Sequence, residues 1–179
     1  MKRYLIILVA LAVFTVSCGP KKTKVYDGSF IKTERGVLLP IADAPGEKAS
    51  NYDIEVEFGD KELILKSSRM LGSCYASFLY ELPGGNRDVM DVDLDFQDLV
   101  KGKYMYSISY GWLPGKNLVK KMVGVTFFYA PLDTALPTVE EKDENGTVAF
   151  SYPDFTGYRF MFQGEEVEKY LSPLLEKLI

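Results

Sequence analysis

Histidine is missing from all 179 residues. That one absence removes the commonest general base, the Ser–His and Cys–His nucleophile pairs, and the commonest zinc ligand. Cysteine is scarce, with only Cys18 and Cys74, so a chain that commits Cys18 elsewhere has no intrachain disulfide. A lone cysteine in an apolar stretch, as Cys74 is, packs as a small hydrophobe. A basic surplus is lacking too: 21 Lys and Arg stand against 25 Asp and Glu, for a formal net charge of −4. An acidic domain is a poor polyanion binder, which excludes nucleic acid as a partner. Gly84-Gly85-Asn86-Arg87 lacks the length and the lysine of a phosphate loop, and no other motif asks for a cofactor.

What is present begins at the amino end. Met1-Lys2-Arg3 leads into an apolar run from Tyr4 to Val16 broken only by Thr15. Two cations and a short apolar core have the form of a secretory signal. The run falls short of the ~20 residues a transmembrane helix needs. It closes as Thr15-Val16-Ser17-Cys18-Gly19, small residues ahead of a cysteine.

This segment resembles the lipobox of bacterial lipoproteins, with threonine at Thr15 where leucine is usual, a looser form of the Bacteroidetes type. The resemblance implies cleavage before Cys18 and a lipid, palmitate among its acyl chains, on that thiol. Two or three chains anchor firmly where one is marginal, at ~0.8 kcal/mol per buried methylene. Residues 1–17 are then the signal peptide, 18–28 a tether, and 29–179 one β-rich globular domain. Removing Lys2 and Arg3 takes the net charge from −4 to −6. Gly19 is not the aspartate that retains lipoproteins at the inner membrane of enteric bacteria, so the resemblance implies the outer membrane. No acidic run follows Cys18, which favours the periplasmic face over the cell surface. Lys21, Lys22 and Lys24 read as a solvated tether.

Twelve tyrosines and eleven phenylalanines suit strands better than helices. Tyr52 to Phe58 alternates strictly, and Gly59-Asp60 joins it to Glu62–Lys66 as a predicted β-hairpin with glycine supplying a positive φ. Met70 to Leu82 fits both a strand and a helical stripe; Tyr75, Phe78 and Tyr80 tip it to strand. Val89 to Phe96 alternates as one strand, with Asp91, Asp93 and Asp95 outward. Lys121 to Tyr129 is a further strand, and 131–146 a polar loop ending in the turn Asn145-Gly146. Thr147–Tyr152 and Gly157–Gln163 read as a closing hairpin. From Glu165 the period turns helical, with Pro173 as a kink or restart. The run Leu99-Val100-Lys101-Gly102-Lys103-Tyr104 between strands resembles the tyrosine corner of immunoglobulin-like and fibronectin-type sandwiches, with Tyr104 as the corner residue. The expected fold is therefore mainly β, an antiparallel immunoglobulin-like β-sandwich with a short C-terminal helix; a β-barrel is the alternative.

Few residues invite chemistry. Asp91, Asp93 and Asp95 look like calcium ligands, but Phe96 and Gly102 stand where an EF-hand needs glycine and glutamate. Along one strand they sit about 6.6 Å apart, a solvated face and not a metal site. The only tryptophan, Trp112, follows Tyr110-Gly111 and precedes Leu113-Pro114-Gly115. On a sandwich loop, Tyr110 and Trp112 would offer aromatic surface to a sugar or a protein. Glu140, Glu141 and Glu144 could act as acids or bases, although a catalytic pair needs a set separation and one raised pKa. Asp133-Thr134-Ala135 resembles the O-glycosylation acceptor of Bacteroidetes periplasmic proteins, which would put a sugar on Thr134.

These features predict a membrane-anchored envelope lipoprotein that binds or assembles with an envelope protein or glycan and does no catalysis. A carboxylate-based glycan hydrolase and an apolar-ligand carrier are the alternatives.

Overall fold

A computed structural model describes residues 29–113 and 118–173. Cys18, the signal, the tether and the leucines after Pro173 lie outside the described residues. Twelve strands run in chain order: β1 Ile31–Lys32, β2 Gly36–Ile41, β3 Asn51–Phe58, β4 Glu62–Ser67, β5 Leu71–Glu81, β6 Arg87–Asp93, β7 Asp95–Val100, β8 Lys103–Ser109, β9 Lys121–Pro131, β10 Thr138–Lys142, β11 Val148–Pro153 and β12 Arg159–Gln163. A short helix, α1 Glu165–Tyr170, follows among the described residues.

All strand pairings are antiparallel. One sheet has the order β1-β2-β3-β4-β8-β7, the other β12-β9-β5-β6, and β10-β11 form a separate hairpin. Both large sheets are open, so the architecture is the expected sandwich and not a closed barrel. Ile54, Val56, Leu63 and Leu65 from the larger sheet and Ala76, Phe78, Val125, Phe127, Phe160 and Phe162 from the smaller fill the core between them. Each fully buried aliphatic or aromatic side chain there contributes about 1.5–3 kcal/mol.

Two tyrosine hydroxyls tie sheet to sheet. Tyr129 on β9 donates to the carbonyl of Pro40 on β2 at 2.8 Å. Tyr106 on β8 accepts from the amide of Leu71, at the start of β5, at 2.7 Å. Tyr106, and not Tyr104, is thus the tyrosine that reaches back across the sandwich. Both lie on the same face of β8, and position along the strand explains the shift: Tyr106 is buried in the core, whereas Tyr104 lies nearer the strand's start and is only half-buried.

Other expectations change in detail. Residues 71–81 are strand throughout, as the aromatic content favoured. The β3–β4 link runs over 59–61, and Gly59 does not take a positive φ. Glycine is needed there because a Cβ would lie 2.8 Å from the Glu62 carbonyl oxygen. Pro40 lies inside β2, where the pairing with β3 shifts register, an irregularity that accommodates proline. The predicted loop 131–146 contains β10, and β11 pairs with β10 while β12 pairs with β9. The closing hairpin of the sequence is therefore split between two partners. Alternation fixed the strands but not which strand each would meet.

Candidate functional site

The stretch read as one strand from Val89 to Phe96 is two strands, divided at Leu94. Up to Asp93 it pairs with β5 in the smaller sheet; from Asp95 it pairs with β8 in the larger. Leu94 is buried at the crossing, and its amide donates to the Cys74 carbonyl at 2.9 Å. A chain that changes sheets here cannot keep three aspartates on one face. Asp91 accepts from the Ser77 hydroxyl and Asp93 stands opposite Tyr75, both on the smaller sheet. Asp95 stands opposite Ser107 on the larger. Among the described residues no group of three metal-ligating side chains converges.

The crossing opens a wedge. β7 meets β8 only as far as Ser107, so the last residues of β8 face a gap bounded on the other side by β6. The resulting cleft, about 640 Å³, is lined by Met90 to Asp93 of β6, by Asp95 and Gln97, by Ser107 to Ser109, and by Glu62 and Trp112. Four carboxylates thus face one cleft whose lining holds no lysine or arginine, and all four belong to exposed residues.

Trp112 reaches the cleft because of a tight turn. The chain leaves β8 in a single 3-10 turn, Tyr110–Trp112, with Ser109 Oγ accepting from the Gly111 amide at 3.3 Å. The Leu113 amide closes the turn on the Tyr110 carbonyl at 3.0 Å. Tyr110 completes the inward row Tyr106, Ile108, Tyr110 and is 3% exposed, whereas Trp112 swings out and is 74% exposed. The two aromatics singled out together therefore part company. Tyr110 is a core residue, not a contact for a ligand. Burial, and then the charges of Asp60 and Glu62, push its phenol well above the ordinary tyrosine range.

Other sequence candidates lie elsewhere. Glu140, Glu141 and Glu144 ride on the exposed β10–β11 hairpin, where Glu141 accepts from the Tyr152 hydroxyl at 3.0 Å. They do not meet the cleft carboxylates, whose lining excludes them. Thr134 is half-buried in the β9–β10 loop, and its hydroxyl is engaged with Tyr158. A sugar on Thr134 would have to displace that contact. Cys74 is a free thiol that burial, helped by the charge of Asp93, raises far above the reactive range, so it is inert packing.

A second depression, about 480 Å³, lies on the outer face of the smaller sheet. Its floor is Ser77, Leu79, Gly124, Thr126 and Met161. Beside it, the stacked pair Tyr75–Phe128, 4.5 Å between ring centres, is capped by Phe155. Sequence reasoning missed this face, because small residues on β5 and β9 make a hollow only once their register is known.

No protein-family model, curated protein or solved structure matches the chain.

Proposed function

We propose that this chain is an exported envelope lipoprotein, held to the outer membrane by lipid on Cys18 with its domain on the periplasmic face. Its domain acts as a non-catalytic binding or assembly module whose contact site is the β6–β8 corner cleft. The observation that carries the reading is the exposure of Trp112, 74%, on the wall of a cleft with four carboxylates. A large aromatic in water serves the fold little and serves a partner well. The ligand class is an envelope protein or glycan.

The hydrolase reading draws on the same cleft, since sugar rings stack on tryptophan and glycosidases use paired carboxyls. The exposure of Glu62, Asp91, Asp93 and Asp95 weighs against it, because a catalytic acid is held protonated by apolar surroundings. The carrier reading needs the interior of a barrel, and the sheets are open.

Two measurements test the proposal. Cells fed radiolabelled palmitate should label the wild type and not Cys18→Ala; equal labelling, or none in either, removes the anchor. The detergent-purified protein should co-sediment with washed envelope fragments, and Trp112→Ala should do so at least tenfold more weakly. Equal sedimentation of the variant removes the cleft as the site.

A further inference from the structure

Among the described residues β7 is an outer sheet edge with no strand beyond it, its Leu99 amide held only by Asp98 Oδ1 at 2.7 Å and its Asp95 carbonyl by Gln97 Nε2 at 3.1 Å, and its two sides carry opposite chemistry. Every residue from Asp95 to Val100 is exposed, although the strand is hydrogen-bonded to β8 along its other edge. The cause is an overhang. The smaller sheet ends at β6, the chain crosses at Leu94, and nothing in the smaller sheet covers the core-facing side of β7. On that side Phe96 lies opposite Tyr106, with ring centres 5.7 Å apart, and Leu99 lies opposite Tyr104. Both side chains are half exposed, Phe96 at 50% and Leu99 at 53%. On the other side Asp95 and Asp98 stand opposite Ser107 and Met105, continuous with the acidic cleft and Trp112.

An open strand edge is a template for another strand, and natural proteins blunt such edges with lysine, proline or a covering segment. Between Asp95 and Val100 β7 carries no lysine or proline, and among the described residues no strand covers its outer edge; only two aspartates and a bulge blunt it. Its bulge between Phe96 and Asp98 keeps Phe96 and Leu99 on one side and both aspartates on the other. A strand laid against this edge meets apolar surface on one side and carboxylates on the other. The complementary sequence alternates apolar and basic residues, because opposite-charge and apolar cross-strand pairs stabilise a ladder. A second copy of β7 is a poor occupant: antiparallel β7–β7 pairing would bring the aspartates of two copies together, and like charges across a ladder repel.

We infer that β7 accepts a strand from a partner whose extended segment alternates apolar residues with lysine or arginine, adding a seventh strand to the larger sheet. The main chain would supply affinity and the alternate side chains specificity, as in other strand-addition complexes. The inference rests on the reading of this corner as the ligand-facing site and names the ligand class.

The test uses the full-length protein in detergent micelles and a blocked octapeptide of alternating valine and lysine. Calorimetry should give one site, and hydrogen exchange should slow at least tenfold at the amides of 95–100. A peptide N-methylated at alternate residues, which cannot pair, should bind at least tenfold more weakly, as should a valine–glutamate peptide. Asp95→Lys combined with Asp98→Lys changes only exposed side chains and should invert the preference toward the valine–glutamate peptide. Equal binding of the N-methylated peptide, protection elsewhere than 95–100, or an unchanged preference in the double variant would each overturn strand addition. Absence of peptide binding would overturn it as well. The cleft reading has its own outcome, since Trp112→Ala can still weaken co-sedimentation with envelope fragments when the peptide fails.

Discussion

Where β1, β2 and β12 meet, aromatic rings shut the gap between the sheets. Phe162 contacts the rings of Phe30, Phe58, Phe127, Phe160 and Tyr170, and Phe30 and Phe58 each pack on Tyr170 of α1 as well. The Ala42 amide adds a bond to the Gly157 carbonyl at 2.9 Å. At the opposite edge, β6 and β7 diverge at Leu94 and leave Phe96, Leu99 and Trp112 in water. Apolar residues are present at both edges, so composition does not separate them. Cover does: the first edge has a helix and a neighbouring strand over it, and among the described residues the second has neither. The closed edge holds the fold, and the open edge is where the proposed partner would bind.

That contrast can be broken by substitution, beginning with the largest effect. Phe162→Ala removes a fully buried ring at the centre of the closed edge and should cost about 3–5 kcal/mol in urea unfolding. A loss under 1 kcal/mol would mean that the aromatic seal is not what closes that edge. Gly157→Ala comes next. Gly157 has φ +82°, and a Cβ there would collide with the Glu47 carbonyl and with Ala42. The strain should cost more than about 1 kcal/mol, read in the same unfolding experiment, and a neutral result would show that the 42–47 loop gives way easily. Tyr129→Phe removes the hydroxyl that bridges to Pro40 in the core and should cost about 1–2 kcal/mol. At the open edge, Phe96→Ser should move stability by no more than about 0.5 kcal/mol, because the ring is already half in water. A thermal shift as large as that of Phe162→Ala would place Phe96 in the core and erase the difference between the edges.

The strands of the closed edge were legible in the sequence because their alternation is strict: Ile54, Val56 and Phe58 on β3, and Phe160 and Phe162 on β12, point where period two sends them. The open edge was not legible, and for the same reason. Met90, Val92, Leu94 and Phe96 keep the same alternation across Leu94, so periodicity runs straight through the point where the chain changes sheets. Alternation reports which side of a strand is apolar, not whether another sheet lies over it. Phe96 and Ile54 therefore look alike in sequence and differ completely in burial.

The site was half legible. Asp91, Asp93 and Asp95, and Trp112 some twenty positions on, were each visible as unusual residues, but their meeting in one cleft depends on β7 stopping short on β8. That Trp112 emerges while Tyr110 is buried follows from the tight turn closed by Ser109 and Leu113. Both are matters of register and turn geometry, which pairwise spacing in the sequence does not encode.

The measurement that bears most directly on this division is a pair of readings on Trp112→Ala, its urea unfolding midpoint and its co-sedimentation with washed envelope fragments. The account predicts a midpoint within about 0.5 kcal/mol of wild type together with at least tenfold weaker association. A large loss of stability with association unchanged would contradict it, for Trp112 would then belong to the fold and the open corner would have no claim to be the binding site.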